Sequence, residues 1–292
     1  MLNYFERLHP LVSFLFYTGA LMIFILLFHP VYLCAGLVVV LLIHFMHDYF
    51  YGLRYWLKFM LTTALLFFLL NPLFNTRGRH LLFLIGNHRI TEEALIYGGM
   101  NALSILGIMA IFVLYNEVMT PNKLLFLFSK FLPQFAILLM LTLRFIPLMR
   151  RRLSEISAIQ LSKGISISHG DLKEKLGAAM QYIQVFVTFS LEEAIQTADS
   201  MKARGYGQGR RTSYEHFSVN IRDILAILYL VILFSMIIFC RILGYGYLKV
   251  YPIMGTWQLS NLDYGILVLL ILFLSFPILI EIGGMIRWRL SN

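Results

Sequence analysis

Charge is what this sequence has least of. Only 13% of its 292 residues are Asp, Glu, Lys or Arg, about half the share of an ordinary soluble domain, and the mean hydropathy is +0.77. Too little charge to cover a soluble surface excludes a soluble enzyme and marks a membrane protein. Cysteine is nearly absent: Cys34 and Cys240 lie inside apolar runs with no Cys or His at metal-ligand spacing. Neither a disulfide framework nor a zinc site is supported. No Gly-x-x-x-x-Gly-Lys-Ser/Thr string occurs, so a phosphate-binding element for ATP must be on another chain. The chain also lacks an acidic pair suited to catalysis, a Ser-His-Asp set and a charge in the middle of an apolar run, which argues against a membrane enzyme or a proton-coupled carrier.

What is present is a series of long apolar runs. Leu11 to Ile43 is 33 residues without a formal charge, about 50 Å as one helix against a hydrocarbon core of about 30 Å. His29-Pro30 sits at its midpoint, and proline disfavours helix there, so the run reads as a tight helical hairpin. A second apolar run following at once, with no small-residue cleavage site, argues against a removed signal segment. Further uncharged runs are Phe59 to Phe74, Ala94 to Tyr115, Ile224 to Cys240 and Tyr264 to Ile280. Phe131 to Leu143 has only 13 residues and contains Pro133 and Gln134, which suits an interfacial or partly embedded helix. The expected architecture is all-α and polytopic, with six spans and a cytoplasmic helical domain: 1–115 as spans one to four, 116–222 as that domain, and 223–292 as spans five and six. With both termini cytoplasmic, Arg77, Arg79, Arg89, Arg241 and Lys249 fall outside and the other 19 of the 24 basic residues inside, as the positive-inside rule requires.

The segment from Asn116 to Asp223 is too long for an unstructured loop. From Met180 its apolar positions run Ile183, Val187, Leu191, Ala194, Ala198 and Met201, one face of a long amphipathic helix that should end at Gly205. That face would cover headgroups, a second helix or a partner, unless Met180, Phe186, Phe189 and Met201 are simply core. An earlier helix from about Gln134 to Leu161 passes through Pro147, where a bend is expected. Ser162-Lys163-Gly164 and Ala203-Arg204-Gly205 share the pattern small, basic, glycine, 41 residues apart. The ordinary explanation is C-capping with a cation on the helix dipole; the functional one is a pair of projecting helix ends, each offering a cation to a partner.

The strings Ser190-Leu191-Glu192-Glu193, Ala198 to Gly207 and Arg211-Thr212 resemble the transmembrane coupling subunit, or T component, of energy-coupling factor transporters. Leu143-Arg144-Phe145-Ile146-Pro147, Asn71-Pro72-Leu73-Phe74 with Gly78, and Thr91-Glu92 with Tyr97-Gly98 are similar to further motifs of that family. The resemblance implies a non-catalytic subunit without cofactor in the cell membrane, importing vitamins or transition-metal ions with two ABC-type ATPase subunits and a membrane-embedded substrate-binding S component. It implies that Ser162, Lys163, Gly164, Ala203, Arg204 and Gly205 dock on the ATPases, with Arg144 and Pro147 as hinge candidates. Lys163 departs from the arginine usual in the family, and lysine cannot form arginine's planar bidentate pair with a carboxylate.

Other constellations carry less. His44, His47 and Asp48 fall on one helical side and could be read as ligands of an intramembrane metalloenzyme, or as polar residues where a span leaves the lipid. Glu92-Glu93, Asp223 and Glu281 read as boundary charges, and Arg210-Arg211 as a patch for anionic lipid. The main alternative to the coupling subunit is a self-sufficient secondary transporter, for which a broken mid-membrane helix and an internal repeat are the expected signs.

Overall fold

The computed structural model describes residues 3–75, 78, 80–85, 88–129, 132–165, 171–209, 218–251 and 258–291. In chain order the elements are α1 (Asn3–Glu6), α2 (Pro10–Leu26), α3 (Pro30–Asp48), α4 (Tyr51–Phe74), β1 (Leu81–Ile85), β2 (His88–Thr91), α5 (Glu92–Val118), α6 (Pro121–Ser129), α7 (Pro133–Ser162), α8 (Leu172–Ala203), α9 (Ile221–Ile242), α10 (Asn261–Leu274) and α11 (Phe276–Ser291). The fold is that of an all-α polytopic membrane protein. Between α4 and α5 the chain forms a small antiparallel hairpin, with Leu81 opposite Thr91 and Ile85 opposite His88, which the hydropathy pattern did not announce.

Local chemistry starts and stops these helices. His9-Pro10 opens α2 and His29-Pro30 opens α3, and in each the histidine Nδ1 accepts from the amide two residues on, Leu11 at 3.2 Å and Val31 at 3.3 Å. Proline suits the first helical position because its missing N–H would have no partner there. The expected helix break at His29-Pro30 is therefore present, with α2 only 17 residues long, but α2 and α3 do not pair as a tight hairpin: both pack mainly on α5. Tyr49 and Phe50 turn the chain into α4 with φ of 47° and 66°, a left-handed pair that costs bulky side chains about 1–2 kcal/mol each.

Five described helices, α3, α4, α5, α7 and α9, are long and apolar enough to cross a membrane. One expectation about the spans changes. The last span is not one straight helix: α10 and α11 meet at a 53° bend, because Pro277 has no N–H to bond back and its ring displaces the preceding turn. The helix expected from about Gln134 to Leu161 is present as the 30-residue α7, and the apolar run Phe131 to Leu143 supplies its start from Pro133.

The chain divides into two units, Met1–Leu124 with Phe217–Asn292, and Leu125–His216. In the first, α5 is the central helix, packed on α2, α3 and α4, while α10 packs on α3 and α9. Phe24 lies between two glycines, since a Cβ on either Gly36 or Gly107 would run into its ring. Phe5, Phe16, Tyr17, Phe273 and Phe276 form a buried aromatic cluster with ring centroids 5.1–6.2 Å apart. Offset and edge-to-face geometry adds to the area such rings remove from lipid or water.

Of the carboxylates expected at span ends, Glu93 and Asp223 do lie in the first turns of α5 and α9, but these two and Glu281 are buried. Glu93, Asp223 and Glu281 are 1%, 4% and 3% exposed, and each accepts backbone amides: His80 on Glu93, Asn220 and His9 on Asp223, and Tyr4 on Glu281. Satisfied in this way, a buried carboxylate costs far less than an unpaired one. His44 and His47 do not converge either. His44 Nε2 lies 2.9 Å from the Ala110 carbonyl, while His47 stands between Glu6 at 3.1 Å and Glu117 at 3.4 Å. No group of three or more His, Cys, Asp or Glu suited to a metal is found among the described residues.

Candidate functional site: two helix tips

The unit Leu125–His216 is built on α7 and α8. Tyr182 Oη of α8 reaches the Ser157 carbonyl of α7 at 3.5 Å, and Ser190 Oγ lies 3.5 Å from Met149 Sδ. The partner numbers fall on α7 as they rise on α8, so the helices run antiparallel. Their C-terminal tips consequently point in opposite directions. Ser157 to Lys163 is about 9 Å of helix and Tyr182 to Arg204 about 33 Å, so about 40 Å of rigid path separates the two cations.

Both tips close in the same way. At the end of α7, Gly164 N donates to Leu161 O at 3.0 Å and Ile165 N to Gln160 O at 3.0 Å; at the end of α8, Gly205 N donates to Lys202 O at 2.9 Å and Tyr206 N to Met201 O at 3.0 Å. These are Schellman caps, and Gly164 (φ 78°) and Gly205 (φ 79°) take the left-handed position that the motif requires. The capping residues match too: Lys163 has φ −84° and ψ 4°, and Arg204 has φ −82° and ψ 6°. Ser162, Lys163, Gly164, Ala203 and Arg204 are exposed. Neither cation has an ion pair among the described residues.

A third helix end in the same chain places its cation differently. Helix α9 ends in a third cap of this kind, Gly244 N to Arg241 O at 3.1 Å and Tyr245 N to Cys240 O at 3.2 Å, with Gly244 at φ 95°. Its capping residue is Leu243. The backbone motif therefore does not need a cation at the capping position; the cation in the last turn of α9, Arg241, is half-buried and donates from Nε to the Leu26 carbonyl at 2.9 Å, whereas those at the α7 and α8 caps are exposed.

The family model of CbiQ, described as cobalt transport protein, matches residues 3–214, which include both tips. The chain belongs to this family. Relatives named energy-coupling factor transporter transmembrane protein EcfT include those of Streptococcus thermophilus, 30% identical over 183 residues covering 59% of this chain and 69% of the relative, and of Bacillus subtilis, 28% identical over 196 residues covering 63% and 74%. The protein is thus a T component, an energy-coupling component of this class of transporter.

Several of the family-like motifs meet in this T component. Thr91 caps α5, its Oγ1 accepting from Ala94 N at 3.4 Å. A Cβ on Gly98 would come within 2.9 Å of the Phe68 carbonyl and 3.2 Å of Asn71 Cβ, so the Tyr97-Gly98 and Asn71-Pro72 motifs mark the close approach of α5 and α4. Arg77, Arg79, Arg210, Arg211 and Thr212 lie outside the described residues. Arg144 and Pro147 are exposed on α7, which continues as one helix through the proline; the Leu143 carbonyl loses its usual donor there.

Sequence reasoning missed Tyr182. It is 6% exposed, and its hydroxyl also donates to the Ile165 carbonyl at 3.2 Å, tying the residue just past the first tip to the middle of α8. The signal was a second stripe on α8, Ala178, Tyr182, Phe186 and Ser190, overshadowed by the more apolar one. That more apolar stripe is not core: Met180, Ile183, Val187, Leu191 and Ile195 are 46–66% exposed, and Phe189 is 47% exposed. Phe186 and Met201 are half-buried.

Proposed function

We propose that this T component links two ABC-type ATPase subunits to a membrane-embedded substrate-binding S component, and that the α7 and α8 tips are its two attachment points. The carrying observation is the pair of matched caps, each presenting an exposed cation at the capping residue, where the α9 cap has Leu243 and its Arg241 is bound to the Leu26 carbonyl. Two like plugs facing opposite ways suit two like sockets, one on each of two ATPase subunits. Closing and opening of the ATPase pair would then move the tips, and long α7 and α8 would carry the displacement towards the spans, with Arg144 and Pro147 as the place where α7 yields. The cargo fits the family's class, a vitamin or a transition-metal ion, with the choice made by the S component.

The same reading places both termini and the tips in the cytoplasm of a cell-membrane protein. Helix α7 passes a length and composition criterion for crossing, but its uncharged start, Pro133 to Leu143, is 11 residues, about 16 Å, or half the hydrocarbon thickness. Arg144, Arg150, Arg151 and Arg152 follow, all exposed. A helix embedded only at its start keeps the count of spans even and the basic residues on one side.

Co-purification tests the reading. The chain, expressed with the ATPases and S component of its own genome, should retain two ATPase subunits. Arg204→Ala should cost on the order of 2–5 kcal/mol of docking if the guanidinium meets a buried carboxylate, and Lys163→Ala should cost less, its point charge lacking the bidentate geometry. Unchanged ATPase retention and transport in both variants would falsify the assignment.

A further inference from the structure

The unit that carries the tips is joined to the membrane unit at two places, just before Leu125 and just after His216. Near each junction, inside the membrane unit, stands a charged residue that binds back to distant chain: Lys123 on the incoming side and, next to the exposed Arg222, the buried Asp223 on the outgoing side. Both are bound to the same short stretch of chain, residues 4–9, which is distant in sequence from either.

On the incoming side, Lys123 Nζ donates to the Glu6 carbonyl at 3.1 Å and to the Val118 carbonyl at 3.0 Å. It satisfies the last carbonyl of α1 and the last of α5, groups without a helical donor of their own. Partial burial pulls the Lys123 pKa down, and the Glu6 carboxylate opposes this. On the outgoing side, Asp223 Oδ2 accepts from Asn220 N at 2.9 Å, closing the first turn of α9, and Oδ1 accepts from His9 N at 3.2 Å, at the start of α2. One buried carboxylate thus serves the N-terminal ends of two helices, where negative charge is favoured.

Residues 4–9 are themselves held on every side. Tyr4 N donates to Glu281 Oε2 at 3.0 Å, and the Tyr4 ring occupies the space that a side chain on Gly284 would need. Phe5 is fully buried in the aromatic cluster. The Glu6 carboxylate meets His47 at 3.1 Å.

We propose that residues 4–9 form a brace that ties the two membrane-side ends of the connections, at Lys123 and Asp223, to each other and to the same block of membrane helices, so that a displacement arriving at either end is shared with the spans. This rests on the coupling role proposed above. Lys123 and Asp223 are positioning residues: neither lies on a tip, and neither meets a partner in that reading.

The test uses the full complex, chain with two ATPases and S component, in proteoliposomes, comparing parent, Lys123→Met, Asp223→Asn and Lys123→Arg. ATPase retention and ATP hydrolysis should stay within about twofold of the parent, while cargo imported per ATP falls at least threefold in Lys123→Met and Asp223→Asn. Lys123→Arg, which still donates to two carbonyls, should recover most of it. An unchanged ratio of import to hydrolysis overturns the brace and leaves the docking role standing. Amide exchange on the isolated chain in detergent supplies a second arm: Lys123→Met should speed exchange at Asp223 and Ile224, on the opposite root, at least threefold. No change there overturns the brace whatever the transport result. Failure of the parent chain to retain ATPases would refute the docking role instead, and the exchange arm would still decide whether the two roots are joined.

Discussion

Removing one oxygen should loosen one tip and leave the other unchanged. Tyr182→Phe keeps the buried ring, so no cavity forms, and deletes the hydroxyl that reaches the Ile165 carbonyl at 3.2 Å and the Ser157 carbonyl at 3.5 Å. Both contacts are long for an O–H···O bond, so the loss is that of about one bond shared between them, about 0.5–1.5 kcal/mol net. Opening of the last turn of α7 is a local event whose free energy falls by that amount, which converts to about 2- to 13-fold faster exchange of the protected amides. The amides to follow are Gly164 and Ile165, bonded to Leu161 and Gln160. Gly205 and Tyr206, in the equivalent cap of α8, are the internal control because Tyr182 does not reach them. Exchange measured by mass spectrometry on the purified chain in detergent should therefore rise at the first tip alone. Equal acceleration at both tips would mean that the substitution loosens the whole unit, and no change at Ile165 would mean that the hydroxyl does not hold the tip; either refutes the reasoning.

Other expectations follow from single features. Val187→Glu lies on the exposed stripe of α8, so the isolated chain should fold normally and lose assembly with its partners; loss of folded chain would show that the stripe is internal core. Gly107→Ala drives a methyl into the Phe24 ring and should cost about 1–3 kcal/mol, visible as a lower melting temperature that Phe24→Leu partly restores. Burial holds the His29 pKa below its ordinary 6.5, with Asp263 opposing, so the folded chain binds fewer protons than the unfolded one and loses stability as pH falls below about 6.5. Protonation also removes the Nδ1 lone pair that caps Val31. His29→Asn keeps a capping acceptor without the titration, and its melting temperature should fall less between pH 7 and pH 5 than that of the parent; parallel curves would contradict this.

The membrane character, the helix break at His29-Pro30 and the end of α8 at Gly205 were legible along the chain because each depends on a local property: too little charge, a proline's missing donor, a glycine's left-handed freedom. The two tips could be named for the same reason, since a Schellman cap is written in consecutive residues. Where those features act against one another was not legible. The pattern of α8 holds two apolar stripes, and periodicity cannot say which meets α7; burial of Tyr182 and exposure of Val187 settle it through packing between residues far apart in sequence. That Glu93, Asp223 and Glu281 are buried was not legible, because the amides of His80, His9 and Tyr4 come to them across 13, 214 and 277 residues. A carboxylate's role is set by which donors reach it, and donors that arrive from so far along the chain are brought there only by the folding of the whole unit.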